Sequence, residues 1–264
     1  MIQTLILGII QGLCEFLPVS SSGHLALLQY YFGFGNENLV AFDLLLHLGT
    51  VLALIIYFWK DIIQVLREWF GGWFGKKYSG WSYGWAILIA TFFTGIIGLS
   101  LRDTVDEISS SPVLTSCGLI FTAIILSFVP IVSKSERNSS LLKIAIFVGI
   151  AQGIAVLPGV SRSGMTIAAS LFMGMGVSEA FRFSFMISIP AILGANLLEG
   201  LKLLKSPESI FLPEGYLLAV IAAFILGLAS LGIMRKLVAS EKWAYFGIYC
   251  LVIGAATIIS QFLP

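Results

Sequence analysis

The sequence predicts an all-α integral membrane protein. Six transmembrane helices and two re-entrant helical hairpins are expected, arranged as an inverted-topology repeat within a single membrane domain, residues 1–264. Three observations predict it. Of the 264 residues, 58% are hydrophobic and only 11% are charged, against roughly 25% charged in a soluble domain. So few charges cannot cover a water-facing surface. The second observation is a repeat: Gly8, Gln11, Gly12, Val19, Ser20, Ser22 and Gly23 recur 141 positions later as Gly149, Gln152, Gly153, Val160, Ser161, Ser163 and Gly164. The match runs without a gap through Gly33/Gly174 and Gly35/Gly176 to Phe42/Phe183, and a shared glycine pattern is a shared backbone pattern. The third is that each copy breaks its first apolar helix with a polar turn.

In order, residues 2–17 read as a helix too short for the roughly 20 residues that span a bilayer. Pro18 ends it, since the residue before a proline is pushed out of the α region. Ser20-Ser21-Ser22-Gly23 then supplies helix-capping chemistry for a second short helix reaching about Tyr31. Such a broken pair is tolerated at membrane depth only where it is buried or lines a wet cavity. A span at 40–59, an amphipathic polar loop from Lys60 to Ser82, and spans at 83–101 and 112–131 complete the first half, residues 1–132. A charged loop from Ser133 to Lys143 follows. Residues 142–157 and 162–173 repeat the broken pair, and spans at 180–200, 214–234 and 243–262 complete the second half, residues 142–264. Glu179 and Arg182 read as an ion pair at a helix start. Three crossings per half is an odd number, so the second half inserts upside down.

The basic residues set an orientation. Lys60, Arg67, Lys76, Lys77, Lys134, Arg137, Lys143, Arg235, Lys236 and Lys242 fall on one side, and Arg102, Lys202 and Lys205 on the other. The richer side is expected to be cytoplasmic, so both termini and the mouth of the first hairpin face outward. No Lys or Arg precedes Lys60, so the apolar start does not read as a secretory signal. The widely spaced Cys14, Cys117 and Cys250 read as small core residues rather than metal ligands or disulfides. A net charge of +1 offers no basic face for nucleic acid.

Polar residues concentrated at membrane depth mark function. Gln11 and Glu15 are four apart, on one face of the first short helix. The second short helix opens with Ser21 to His24, and its counterpart opens with Ser161 to Gly164 and adds Arg162. Helix N-termini attract anions, and a guanidinium forks two phosphate oxygens as lysine cannot. If the hairpins enter from opposite faces, their tips meet near the midplane and form one phosphate site. Glu15, Ser21, His24 and Arg162 are the candidate catalytic set. Ser20, Ser22, Gly23, Ser161, Ser163, Gly164 and Thr166 are candidates for holding phosphate, with Ser20, Ser22 and Ser163 read first as helix caps. Asp43 and His47, four apart on the next span, and Gln152 are candidate supporting residues. Residue chemistry alone leaves transport or flipping of an anionic solute or lipid close behind hydrolysis, because broken helices at the midplane are how secondary transporters are built. A purely structural subunit is disfavoured by the polar cluster.

The segments EFLPVSSSGH (15–24) and LPGVSRSGMT (157–166), with FDLLLHLGT (42–50), resemble the signature segments of the undecaprenyl-diphosphate phosphatase family, also called bacitracin-resistance phosphatases. The resemblance extends over essentially the whole chain. It implies a plasma-membrane hydrolase that removes the terminal phosphate of a C55 polyprenyl diphosphate and recycles the carrier lipid for peptidoglycan and other envelope polymers. The family's glutamate-rich signature falls on Gln11 and Glu15, with Gln in place of one carboxylate. Its serine and histidine fall on Ser21 and His24, and its arginine motif on Ser161, Arg162, Ser163 and Thr166. Mg²⁺ or Ca²⁺ dependence is implied too, with Glu15 and Gln11 as candidate metal ligands. Either Ser21 attacks phosphorus with His24 as base, or His24 attacks directly. The expected partners are the bilayer and a polyprenyl diphosphate, with a homodimer as one option.

Overall fold

The computed structural model describes residues 1–34, 39–74, 79–132, 139–205, 210–240 and 242–263. Gly35 of the repeat, and Lys76, Lys77, Lys134 and Arg137 of the charge count, lie outside the described residues.

Twelve helices make up the described architecture, without a strand among the described residues. They are α1 (Ile2–Cys14), α2 (Ser21–Tyr31), α3 (Val40–Tyr57), α4 (Trp59–Trp73), α5 (Ser79–Ser100), α6 (Arg102–Ser110), α7 (Pro112–Val132), α8 (Leu141–Ile154), α9 (Arg162–Phe172), α10 (Val177–Leu203), α11 (Tyr216–Ala239) and α12 (Trp243–Ser260). Six of these, α3, α5, α7, α10, α11 and α12, are long and apolar enough to cross a membrane, while α1 and α8 are apolar but shorter. Both broken pairs stand where the turn chemistry placed them. Helices α2 and α9 each begin one residue after a serine cap and each run for 11 residues.

Four expectations need correction. The stretch after Lys60 is not a loop along its length: Trp59–Trp73 is helical, with Trp69, Phe70, Trp73, Trp81 and Trp85 meeting ring to ring where α4 packs on α5. Polar α6 was not anticipated. Arg182 pairs not with Glu179 but with Asp61 of α4, at 2.7 Å. Cys14 and Cys250 are buried as expected, whereas Cys117 is exposed; none of the three is in a disulfide.

In lipid, apolar burial does not by itself drive helices together, and close approach at small residues does much of that work. Two of the places where this chain uses it are repeat-related. Helix α1 packs on α11 with Gly8 against Ala219, where a Cβ on Gly8 would lie 2.6 Å from Ala219 Cα. Helix α8 packs on α5 with Gly149 against Ala90, where a Cβ would lie 2.8 Å from Ala90 Cα. Each short helix thus leans on a span from the other half of the sequence. Between the halves lies an aromatic core: Phe16 meets Phe185 edge-on at 5.6 Å, and Phe58 and Phe181 close around Phe185.

Candidate active site

Glu15 caps the C-terminus of α1, and the chain then turns through Leu17 and Pro18 to Ser20. Ser20 has φ +66°, the one non-glycine residue with positive φ among those described. That left-handed conformation costs an L-residue roughly 1–2 kcal/mol, offset in part by the cap it makes: Ser20 Oγ accepts from Gly23 N at 3.3 Å and lies 3.3 Å from Ser22 Oγ. The second tip is built alike. Ser161 Oγ accepts from Gly164 N at 3.2 Å and lies 3.3 Å from Ser163 Oγ. Thr122 of α7 clamps this tip, donating to the Gly159 carbonyl at 2.8 Å and accepting from Ser161 N at 2.9 Å.

The tips touch. A Cβ on Gly23 would fall 2.7 Å from Gly159 Cα, so only glycine fits at position 23. Ser163 Oγ donates to the Leu17 carbonyl at 3.1 Å. Arg162 Nη2 donates to Glu15 Oε1 at 2.5 Å.

Glu15 is the hub of the polar set. Its Oε2 accepts from Ser21 Oγ at 2.5 Å and from Gln11 Nε2 at 3.0 Å, and His47 Nε2 stands 3.9 Å away. Gln11 also reaches Thr50 Oγ1 at 3.4 Å. Glu15, Ser21 and Gln11 are all buried. Charge-assisted bonds of this length are the strong ones, and they seat the Glu15 carboxyl opposite the guanidinium. Two atoms at the site lack a partner among the described residues: Arg162 Nη1 and Gln11 Oε1. Buried polar atoms are nearly always paired, so the free guanidinium nitrogen is a place for an anion's oxygen.

The other sequence candidates divide. His24 does not meet Ser21. Its Nδ1 donates to the Ser20 carbonyl at 2.8 Å, and its Nε2 bonds the Tyr249 hydroxyl at 2.9 Å. The arrangement of Ser21 with His24 as its base is therefore replaced by Ser21 on Glu15. The physical reason is local: the imidazole folds back one turn onto the carbonyl four residues before it, as that of His47 does onto Asp43, and is tied there rather than to the Ser21 hydroxyl. Thr166 is fully buried and bonds the Arg162 carbonyl and Ser184 Oγ at 2.8 and 2.5 Å, so it braces α9 against α10. Gln152 Nε2 bonds Thr94 Oγ1 at 3.1 Å and supports the second tip. Asp43 and His47 do not pair through their side chains: His47 Nδ1 donates to the Asp43 backbone carbonyl at 2.8 Å, and the Asp43 carboxylate accepts from Gln29 at 2.8 Å. His47 is thereby aimed at Glu15. Thr50, Thr122 and Tyr249 were missed. For the two threonines the available signal was a hydroxyl inside an apolar span; Tyr249 gave none.

Ca²⁺ takes six to eight oxygen ligands, and Mg²⁺ an octahedral six. Both oxygens of Glu15 are engaged, Gln11 offers one amide oxygen, and no cluster of three or more His, Cys, Asp or Glu residues exists among the described residues. The residues present do not make a cage for a resident dication.

A family model described as bacitracin resistance protein BacA matches residues 4–256. Proteins called undecaprenyl-diphosphatase are similar along nearly their whole length. That of Bacteroides fragilis is 40% identical over 261 residues, 97% of each chain. That of Parabacteroides distasonis is 38% identical, covering 99% of this chain and 98% of its own. That of Thermomicrobium roseum is 38% identical, covering 97% and 96%.

Proposed function

Because the chain belongs to the bacitracin resistance protein BacA family, we propose that it is a membrane undecaprenyl-diphosphatase. In this reading it hydrolyses undecaprenyl diphosphate to the monophosphate and inorganic phosphate, and so returns the carrier lipid to cell-wall synthesis. The observation that carries the reading is the meeting of Arg162 and Ser21 on one buried carboxylate, at 2.5 Å each. A site that only binds an anion for transport has no use for a hydroxyl held on a base.

The chemistry follows from the hub. The diphosphate engages Arg162, whose Nη1 is unpartnered, and draws the guanidinium away from Glu15. Glu15 Oε2 then accepts the Ser21 proton as Ser21 Oγ bonds to the terminal phosphorus. The bond from that phosphorus to the bridging oxygen breaks, and undecaprenyl monophosphate leaves. Water hydrolyses the phosphoserine, and Glu15 returns the proton. Arg162 and the N-termini of α2 and α9 stabilise the charge on the transferring group. His24, its Nδ1 and Nε2 both engaged, assists from the edge of the site and is not the nucleophile. Were the cation implied by the family resemblance to act here, Glu15 and the Gln11 amide oxygen would offer it too few ligands, so the diphosphate oxygens would have to supply the rest, and it would neutralise phosphate charge; no step above depends on it.

The two broken pairs are read as re-entrant hairpins of an inverted repeat, residues 1–132 and 142–264 in one membrane domain. The reciprocal seating of α1 on α11 and α8 on α5 supports this. With Lys60, Arg67, Lys143, Arg235, Lys236 and Lys242 cytoplasmic, both termini and the first hairpin's mouth face outward. Every group in the scheme comes from one chain, so a second copy is not called on.

The test is phosphate release from undecaprenyl diphosphate by the purified, detergent-solubilised protein, followed by mapping of any trapped phospho-enzyme. Release with phosphate on Ser21 is expected. Phosphate on His24 would overturn the assignment of the nucleophile. No release from an intact protein that moves the lipid across vesicles would favour the flippase reading.

A further inference from the structure

The imidazole of His24 is held from two directions, and only one of them is local. A carbonyl can only accept, so Nδ1 carries a proton toward Ser20 O at 2.8 Å. In the neutral ring Nε2 is then the acceptor, and the Tyr249 hydroxyl, 2.9 Å away, donates to it. The two rings lie parallel to within 4°, their centroids 5.5 Å apart. Tyr249 sits on α12, 225 positions from His24. The far end of α2 is tied to the same helix: Tyr31 Oη and Ser260 Oγ are 2.7 Å apart. Helix α12 therefore grips α2 at both ends, and at the site end it does so through the one ring nitrogen that carries a lone pair.

We propose that Tyr249 is a positioning residue for the reaction. Its hydroxyl and the Ser20 carbonyl together fix His24 in one tautomer and one plane, with Nε2 turned toward α12. Which ring nitrogen carries the proton is set by the bond the other makes. This rests on the reading of His24 as part of the hydrolase site. Tyr249 itself touches neither substrate nor Glu15 in the proposal. It acts through His24, and it makes the final helix a functional part of a site otherwise supplied by the two hairpins, α3 and α7.

The chain has two histidines, so ¹⁵N-histidine NMR of the full-length protein in detergent resolves the proposal directly, with His47→Gln assigning the signals. In the unchanged chain, the His24 signals should show Nδ1 protonated and Nε2 hydrogen-bonded. Tyr249→Phe keeps the ring and removes the hydroxyl; Nε2 should move to the position of a free acceptor. In the phosphate-release assay, Tyr249→Phe should lower kcat about tenfold, the effect of one hydrogen bond, with KM within about twofold. In a His24→Asn background it should change kcat by less than about twofold. An unchanged Nε2 signal in Tyr249→Phe overturns the proposal. So does a tenfold loss that persists in the His24→Asn background, since that marks a structural effect. If the unchanged chain releases no phosphate, the hydrolase reading fails, while the NMR result still decides what holds His24.

Discussion

Replacing Gly23 by alanine puts one methyl group where the two hairpin tips touch. The new Cβ would lie 2.7 Å from Gly159 Cα and 2.9 Å from Gly159 N. Carbon atoms rest about 3.5–4.0 Å apart, so the tips must part by about 1 Å. Neither side yields cheaply. Gly159 has φ +88° and is packed in turn against Thr115 and Leu119 of α7, while α2 is tied to α12. Overpacking of this kind costs about 1–3 kcal/mol of stability. The larger effect is on catalysis. Arg162 rides on one tip and Ser21 on the other, and a displacement of about 1 Å at a reacting centre costs roughly a hundredfold in rate. The measurement is kcat/KM for phosphate release, with thermal unfolding in the same detergent to show that the variant is folded. Gly95→Ala is the control, because a Cβ there meets nothing within 4 Å and alanine favours the helix. A folded Gly23→Ala enzyme within about threefold of the unchanged chain would refute the reasoning that the tips are in contact.

Other perturbations test neighbouring parts of the account. Arg162→Lys keeps the charge but loses the planar fork that grips two phosphate oxygens; kcat/KM should fall at least about a hundredfold, and near-normal turnover would remove the forked role. Ser21→Ala should abolish the trapped phospho-enzyme and leave binding of a non-hydrolysable diphosphate analogue within a few-fold, read by equilibrium binding. Gly8→Leu drives a side chain into the α11 backbone at Ala219 and should lower the unfolding temperature by several degrees, with Gly149→Leu doing the same against Ala90. Isothermal titration of Mg²⁺ or Ca²⁺ into the lipid-free protein should show no binding tighter than about millimolar, because one carboxylate and one amide oxygen do not fill the shell; a micromolar site would contradict a cation that arrives with the substrate.

Much of this was legible because membrane burial makes polar residues conspicuous. Pro18 and the serine caps marked both broken pairs, and the glycine offset paired them, so Glu15 and Arg162 could be expected together although 147 positions apart. What failed was the detail of who bonds whom. Ser21 and His24 are neighbours in sequence, and a shared turn suggested a shared bond. The imidazole instead folds back onto the carbonyl four residues earlier, a bond that His47 also makes and that neighbouring residue types do not announce. Arg182 went to Asp61 for a similar reason: a local i,i+3 partner was visible and one on another helix was not. Helix α4 was hidden by its charges, which lie on an amphipathic helix rather than in a loop. Thr122 and Tyr249 could be assigned only once α7 and α12 were seen beside the tips.

Whether two hairpins make one site is decided most directly by a double-mutant cycle on kcat/KM with Glu15→Gln and Arg162→Lys. If the two side chains serve the same phosphate, the account predicts that the double variant falls no more than about threefold below the weaker single variant, because each single change has already broken the shared unit. Losses that multiply in full would mean that Glu15 and Arg162 act apart, and the account would be wrong.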